Sequence, residues 1–216
     1  MHPSLSFLII GAVAIGSYIG GCLALSGQRV VFLDRPETVA HIRARGMSFR
    51  LPSGEHTLTP HLAASISEAL EQGPFDAGIF SVKSYHTEAA LQPLKPYAAR
   101  LPPVVCLQNG VDNEPLLEQT LGGEKVIAGT VTTAIGIPAP GMVAVERLRG
   151  VGLAVTPGSP LVSLVARLKV AMDQAGLQAQ HYSRPADMKW SKLMTNLTAN
   201  ATAAILDMTP AEVFAH

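Results

Sequence analysis

Residues 5–35 read LSFLIIGAVAIGSYIGGCLALSGQRVVFLDR, and the order of parts in this stretch decides the fold. Leu5–Ile10 is a short, continuous apolar run that stops at Gly11, the pattern of a strand buried on both faces. Ala14–Leu25 follows as a helical stretch with small residues on one side, closed by Gly27. Arg29–Leu33 is a second buried strand, ending at Asp34-Arg35-Pro36. The first charged side chain is Arg29, so a membrane helix or a signal peptide has to be weighed. Only His2 stands where a signal peptide wants a basic start. Gly11, Gly16, Gly20 and Gly21 would interrupt a spanning helix, whereas a strand, a glycine turn and a helix account for all four. No membrane segment is expected.

Working outward, strands and helices keep alternating. Glu37–Arg45 reads as a polar helix, and Met47–Leu51 with His56–Thr59 as a hairpin around Pro52-Ser53-Gly54. Ile66–Gln72 is helical, Ala77–Val82 a strand, and Tyr85–Ala98 a helix broken by Pro93 and Pro96. Val104–Leu107 is a strand, Leu116–Leu121 a helix, and Val126–Thr133, Met142–Val145 and Val151–Val155 are extended. Pro160–Ala175 is an amphipathic helix and Gln178–Tyr182 a last strand. The alternation up to about residue 122 predicts an α/β fold, a doubly wound Rossmann-type sheet. After Pro185 the character changes: Asp187–Leu206 reads as one long helix and Thr209-Pro210-Ala211-Glu212 as the start of another. The expected organisation is a dinucleotide-binding domain over residues 1–183 and the beginning of an all-helical C-terminal domain over 184–216. The apolar face of that long helix is expected to lack helical partners, at a cost in stability or with self-association into a homo-oligomer.

Composition narrows the function. Of 216 residues, 48% are hydrophobic and only 5% aromatic, which suits a Val/Leu/Ile/Ala core in a covered parallel sheet. Sixteen basic and sixteen acidic residues cancel, so no nucleic-acid-binding surface is expected. Cys22 and Cys106 sit in apolar runs without a CxxC spacing and read as buried reduced thiols of a cytoplasmic protein. The histidines lack metal-ligand spacing, and neither a Gly-x-Ser-x-Gly elbow nor a Walker A motif is present.

Three constellations carry chemistry. Gly11-Ala12-Val13-Ala14-Ile15-Gly16 ends a strand and opens a helix, the context of a pyrophosphate-binding fingerprint. Its middle glycine is replaced by Val13, whose branched side chain is expected to crowd the phosphates or shift the loop. A glycine turn in any α/β fold would leave much the same trace. At the end of the second strand, Asp34 suits the ribose 2′-hydroxyl of NAD, while Arg35 suits the 2′-phosphate of NADP; the residues alone leave both open. Lys192, Asn196 and Asn200 are spaced four apart and share one helix face. A cationic proton donor with two amides suits a keto acid, Lys192 for the carbonyl oxygen and the amides for orientation. Trp190, Leu193, Met194 and Leu197 are expected to pack beside them. Lys83 and Asn109 each follow a buried strand, near the crevice where open sheets bind ligands.

Together, IIGAVAIGSYIG, SVKSYHT, LQNGVDNE and KWSKLMTNLTAN resemble the ketopantoate reductases (2-dehydropantoate 2-reductases), from about residue 5 onward. The resemblance implies that residues 11–16 bind NADPH, that Arg35 meets its 2′-phosphate, and that Lys83 lies against the cofactor. It implies that Asn109 lies between nicotinamide and substrate, that Lys192 is the general acid, and that Asn196 and Asn200 contact the substrate. The implied reaction is NADPH-dependent reduction of ketopantoate to pantoate, in pantothenate biosynthesis. A non-catalytic NADPH-binding fragment and a reductase of another 2-keto acid are the alternatives. The family's second domain carries further substrate contacts, a serine and a glutamate, and the resemblance implies that this chain stops before that domain is complete.

Overall fold

In the computed structural model of the chain, residues 4–139, 141–197, 201–209 and 212–213 are described. One sheet of eight strands organises it, in the order β12-β11-β8-β7-β6-β1-β2-β5. In chain order these are β1 (Ser6–Ile10), β2 (Arg29–Leu33), β5 (His61–Ala63), β6 (Ala77–Phe80), β7 (Val104–Cys106), β8 (Val126–Val131), β11 (Val151–Ala154) and β12 (Ala179–Tyr182). All neighbours pair in parallel except β11 with β8. The strand order reverses at β1, so the carboxyl ends of β1, β2 and β6 border the crevice where such sheets take ligands.

β1 is apolar throughout because both its faces are covered. Phe7 and Ile9 join one core cluster and Leu8 and Ile10 the other, as a period of two requires. On the first face lie α1 (Ala14–Leu25) and α6 (Val162–Gln174), through residues such as Ile19, Leu23, Val165 and Leu168. On the second lie α3 (Ile66–Glu71), α4 (Thr87–Leu91) and α5 (Asn113–Leu121), through Ile66, Leu91 and Leu117.

A smaller sheet, β4-β3-β10-β9, lies against α1. It comprises β3 (Met47–Leu51), β4 (Gly54–Leu58), β9 (Ala134–Ala139) and β10 (Met142–Arg147), and α2 (Pro36–Arg45) precedes it. The small residues of α1 make this packing possible: a Cβ at Gly21 would fall 2.3 Å from the Phe49 ring, and one at Gly20 would fall 2.6 Å from Phe32. Close helix–sheet contact is thus the use of these two glycines.

The expected helix over 187–206 is described as α7 (Pro185–Asn196) and α8 (Thr202–Leu206), with Leu197 and Ala201 in helical conformation between them and residues 198–200 outside the described ones. Tyr85–Ala98 is helical and broken, as expected: the five residues of α4 stand between tighter helical turns, where Pro93 and Pro96 deny backbone donors. One expectation needs correction. α7 packs on the large sheet through Met188, against Ala128 and Ala154, while Trp190, Met194 and Leu197 are exposed rather than packed. Ile205 and Leu206 on α8 are exposed as well, in line with the expected unpartnered apolar face. At the far end, Thr209 and Glu212 bond each other reciprocally as a helix capping box.

Candidate functional site

The site begins at the glycine turn. Gly11 has φ +95°, and a Cβ there would lie 2.8 Å from Val82 Cγ1. Gly16 sits where a Cβ would fall 2.0 Å from the Gly11 carbonyl oxygen, so the first turn of α1 closes down directly on the loop. Between them, Val13 is the residue preceding α1, with φ −85° and ψ −172°. This is ordinary extended backbone, so the position does not demand glycine for its conformation. Its side chain is 44% exposed and borders two cavities, one on each side of the loop. The start of α1 has no side-chain cap and no acidic residue in its first turn. Its leading amides therefore face outward, and the positive end of the helix is open to an anion.

Asp34 follows β2 directly and is committed to the loop. Its Oδ2 accepts a hydrogen bond from the Ala12 amide at 2.5 Å, and its Oδ1 accepts one from the Arg35 amide at 2.7 Å. Arg35 itself precedes α2, and its side chain is almost wholly exposed, with Nε 4.0 Å from Asp34 Oδ1. Gly11, Val13, Asp34, Arg35 and Lys83 all line one cavity of about 470 Å³, closed on the far side by α4 and the turn after it. The structure thus brings together the glycine loop, both candidate cofactor-discriminating residues and the first candidate lysine.

Asn109 follows β7 and is exposed. Its backbone carbonyl accepts from Asn113 Nδ2 at 2.8 Å and from Ser84 Oγ at 3.3 Å, which ties its turn to that of Lys83. On α7, Lys192 and Asn196 are both partly buried; Asn200 lies outside the described residues. Burial, and next the charge of Arg149, hold the Lys192 ammonium below its ordinary pKa. Arg149 precedes β11, which runs antiparallel to β8 with Val151 opposite Val131. Arg149 and Lys192 are therefore at the carboxyl edge of the parallel strands, the edge that also carries Gly11, Lys83 and Asn109. Lys192 does not line the cavity beside the glycine loop, but it shares the sheet edge with it, and a cation with weakened hold on its proton can act as a proton donor.

Residues 7–157 match the family described as Ketopantoate reductase PanE/ApbA. The chain belongs to that family. It is 32% identical over 200 residues to a 2-dehydropantoate 2-reductase of Pyrococcus horikoshii, covering 93% of this chain and 64% of the relative. To that of Mesorhizobium japonicum it is 28% identical, covering 96% of this chain and 69% of the relative. A PanE/ApbA family ketopantoate reductase from Ralstonia eutropha superposes with TM-score 0.78 at 28% identity, over 94% of this chain and 65% of that one. D-mandelate dehydrogenase solved with NADH and anilino(oxo)acetate superposes with TM-score 0.79 at 23% identity, a likeness of fold. The chain thus spans about two thirds of the length of these relatives.

In this member of the ketopantoate reductase family, the support beneath the candidate residues went unread in the sequence. Gln108 is buried and donates from Nε2 to the Val82 carbonyl at 2.9 Å and to Thr87 Oγ1 at 2.7 Å. Lys189, three residues before Lys192, is buried too. Its Nζ donates to the carbonyls of Gln108 at 2.8 Å and Gly129 at 3.3 Å and lies 2.7 Å from Glu114 Oε1. A polar Gln between an apolar strand and a glycine was a visible signal; the Lys189–Glu114 pair left none. Cys22 and Cys106 are free and buried, as expected, and burial pushes both thiols up to about 12. Among the described residues no helix is long and apolar enough to cross a membrane.

Proposed function

We propose that the chain forms the nucleotide-binding and proton-donating part of an NADPH-dependent 2-dehydropantoate 2-reductase, which reduces the keto group to the secondary alcohol of pantoate. Residues 1–183 form the cofactor domain in this reading, and 184–216 begin a helical substrate domain. The observation that carries it is the placement of Lys192, partly buried and with a lowered pKa, on the same sheet edge as the open N-terminus of α1.

The residues present fit a nicotinamide dinucleotide. The Gly11–Gly16 turn has no room for side chains at its ends, which keeps the backbone amides accessible, and the adjoining cleft holds about 470 Å³. Asp34 already accepts two backbone amides, and the Arg35 guanidinium is exposed beside the cleft with only a long 4.0 Å contact to Asp34 Oδ1. That division of labour favours Arg35 as the ligand of a 2′-phosphate, and so NADPH. Ala12, Val13, Ala14 and Ile15 would follow the pyrophosphate, with Lys83 against the cofactor.

When bound, the reduced nicotinamide supplies the hydride that goes to the carbonyl carbon of the 2-keto acid. Lys192 Nζ holds the proton for the carbonyl oxygen and stabilises the negative charge developing there. Asn109, Asn196 and Asn200 orient the substrate, which lowers the entropy cost of reaching the reactive geometry. The free, buried cysteines accord with a reducing compartment, and we place the enzyme in the cytoplasm.

The test is a fluorescence titration with NADPH and NADH, followed by NADPH oxidation on addition of 2-dehydropantoate. Preference for NADPH with keto-acid-dependent oxidation supports the assignment. NADPH binding without oxidation assigns the chain a binding role only, and failure to bind either nucleotide overturns the reading.

A further inference from the structure

Lys189 and Glu114 are the buried charges that the proposed chemistry leaves unused. Both are nearly inaccessible, at 6% and 9% exposure, and their charged atoms are 2.7 Å apart. The contact is an ion pair by distance, but Glu114 Oε1 makes no aligned hydrogen bond. Stability alone does not call for such a pair, since well-packed apolar residues often serve as well or better in its place. Its geometry calls for another account.

The fold surrounds the Lys189 ammonium with oxygens from three different places, two carbonyl acceptors and one carboxylate counter-ion. They are the Gln108 carbonyl after β7, the Gly129 carbonyl within β8, and the Glu114 carboxylate on α5. The bond to Gln108 is the informative one. Gln108 precedes Asn109 directly, and its side chain reaches the Val82 carbonyl, the residue before Lys83. Ser84 Oγ then closes the circuit to the Asn109 carbonyl. A continuous chain of polar contacts therefore runs from α7, which carries Lys192 one turn further on, to both loops that carry Lys83 and Asn109.

We propose that Lys189, with Glu114 as its counter-ion, is a positioning residue: it holds the Gln108 carbonyl and so fixes Asn109 and Lys83 relative to Lys192. The proposal rests on the reductase reading for its catalytic consequence, but its structural core can be tested without turnover. A misplacement of about 1 Å in a reacting constellation costs roughly a hundredfold in rate, so a device that registers α7 against two loops has a measurable effect.

The experiment compares the wild-type chain with the Lys189→Met/Glu114→Leu double variant, which removes both charges and leaves none unpaired. Lys189→Met alone, which strands the carboxylate, serves as a second comparison. Amide hydrogen exchange is followed at Lys83–Thr87 and Gln108–Asn113, with β1 and β2 as internal references. Urea midpoints and, where wild type turns over, kcat and KM are measured alongside. The double variant is expected to keep its urea midpoint and its protection in β1 and β2. Exchange in the two loops should rise about tenfold or more, and kcat should fall by about tenfold or more with a smaller change in KM. Unchanged loop exchange in a folded double variant overturns the proposal, as does loss of protection spread evenly over the sheet. If wild type shows no turnover, the reductase reading fails on its own and the exchange result still decides the role of Lys189.

Discussion

Replacing Gly16 by alanine tests whether the glycine loop is a phosphate cradle or only a turn. The added Cβ would stand 2.0 Å from the Gly11 carbonyl oxygen and 2.5 Å from Ser81 Oγ. A comfortable carbon–oxygen separation is about 3.3 Å, so roughly 1.3 Å must be found. Ser81 can rotate away, but it then gives up its 2.9 Å bond to the Gly11 carbonyl. The Gly11 carbonyl is backbone and can move only by carrying Ala12 and Val13 with it. Overpacking of this kind costs about 1–3 kcal/mol, and the lost hydrogen bond about 1 kcal/mol more. Against a typical stability of about 5–15 kcal/mol the variant still folds. The displaced amides at the start of α1 should lose one charge-assisted contact to a pyrophosphate, about 1.5–3 kcal/mol, or roughly ten- to a hundredfold in NADPH affinity. Gly27→Ala is the control at the other end of the same helix: nothing lies within 4 Å of its Cβ, and φ +89° makes it strained but remote from the cleft. Urea unfolding and NADPH fluorescence titration of both variants give the comparison. Wild-type affinity in a destabilised Gly16→Ala protein would refute the cradle.

Other consequences follow from the same geometry. Arg35→Ala should weaken NADPH by about tenfold while leaving NADH nearly unchanged, because the exposed guanidinium is proposed to bind the 2′-phosphate that NADH lacks; parallel titrations check it. Lys192 has its pKa lowered by burial and by Arg149, so the protonated acid is lost as pH rises through a value below the ordinary 10.5. The alkaline limb of kcat should therefore lie below that value and move upward in Arg149→Ala, as a pH profile would show. Asp76 is held below 3.8 although burial pushes it up, because hydrogen bonds from Ser6 and Arg167 outweigh that effect. A carboxylate with a depressed folded-state pKa stabilises above the unfolded value and loses that contribution as pH falls through the folded one. The gap in urea midpoint between wild type and Asp76→Asn should accordingly narrow as pH drops below roughly 4.

The parts of the fold legible in the sequence were those whose burial is continuous along the chain. β1 and β2 are apolar at nearly every position because helices cover both faces, and Gly11 and Gly16 punctuate the unit between them. β5 was not legible: it is three residues long, only Ala63 is buried, and it exists because Val31–Leu33 of β2 offers it a parallel edge. β9 was missed for a similar reason, since its residues are largely exposed and its form comes from pairing with β10. Neither strand carries a local signal strong enough to outweigh its surroundings.

The candidate site divides along the same line. Lys192 and Asn196 could be read because they recur on one helical stripe, a property of neighbouring residues. Lys189 could not, because the same alphabet and nearly the same helix face give no hint that one lysine is buried and the other only half so. A buried ammonium is tolerable only where oxygens converge on it. Here those oxygens come from Gln108, Glu114 and Gly129, which become neighbours of α7 only after the sheet has formed. Met188 beside it is held by Ala128 and Ala154, two small residues on adjacent strands that leave room for α7 to approach. The pattern of the helix therefore marks its candidate residues, while its registration against the large sheet is written in residues far from it. That separation predicts that substitutions at Gln108 or Glu114 should perturb the chemistry of Lys192 without touching it.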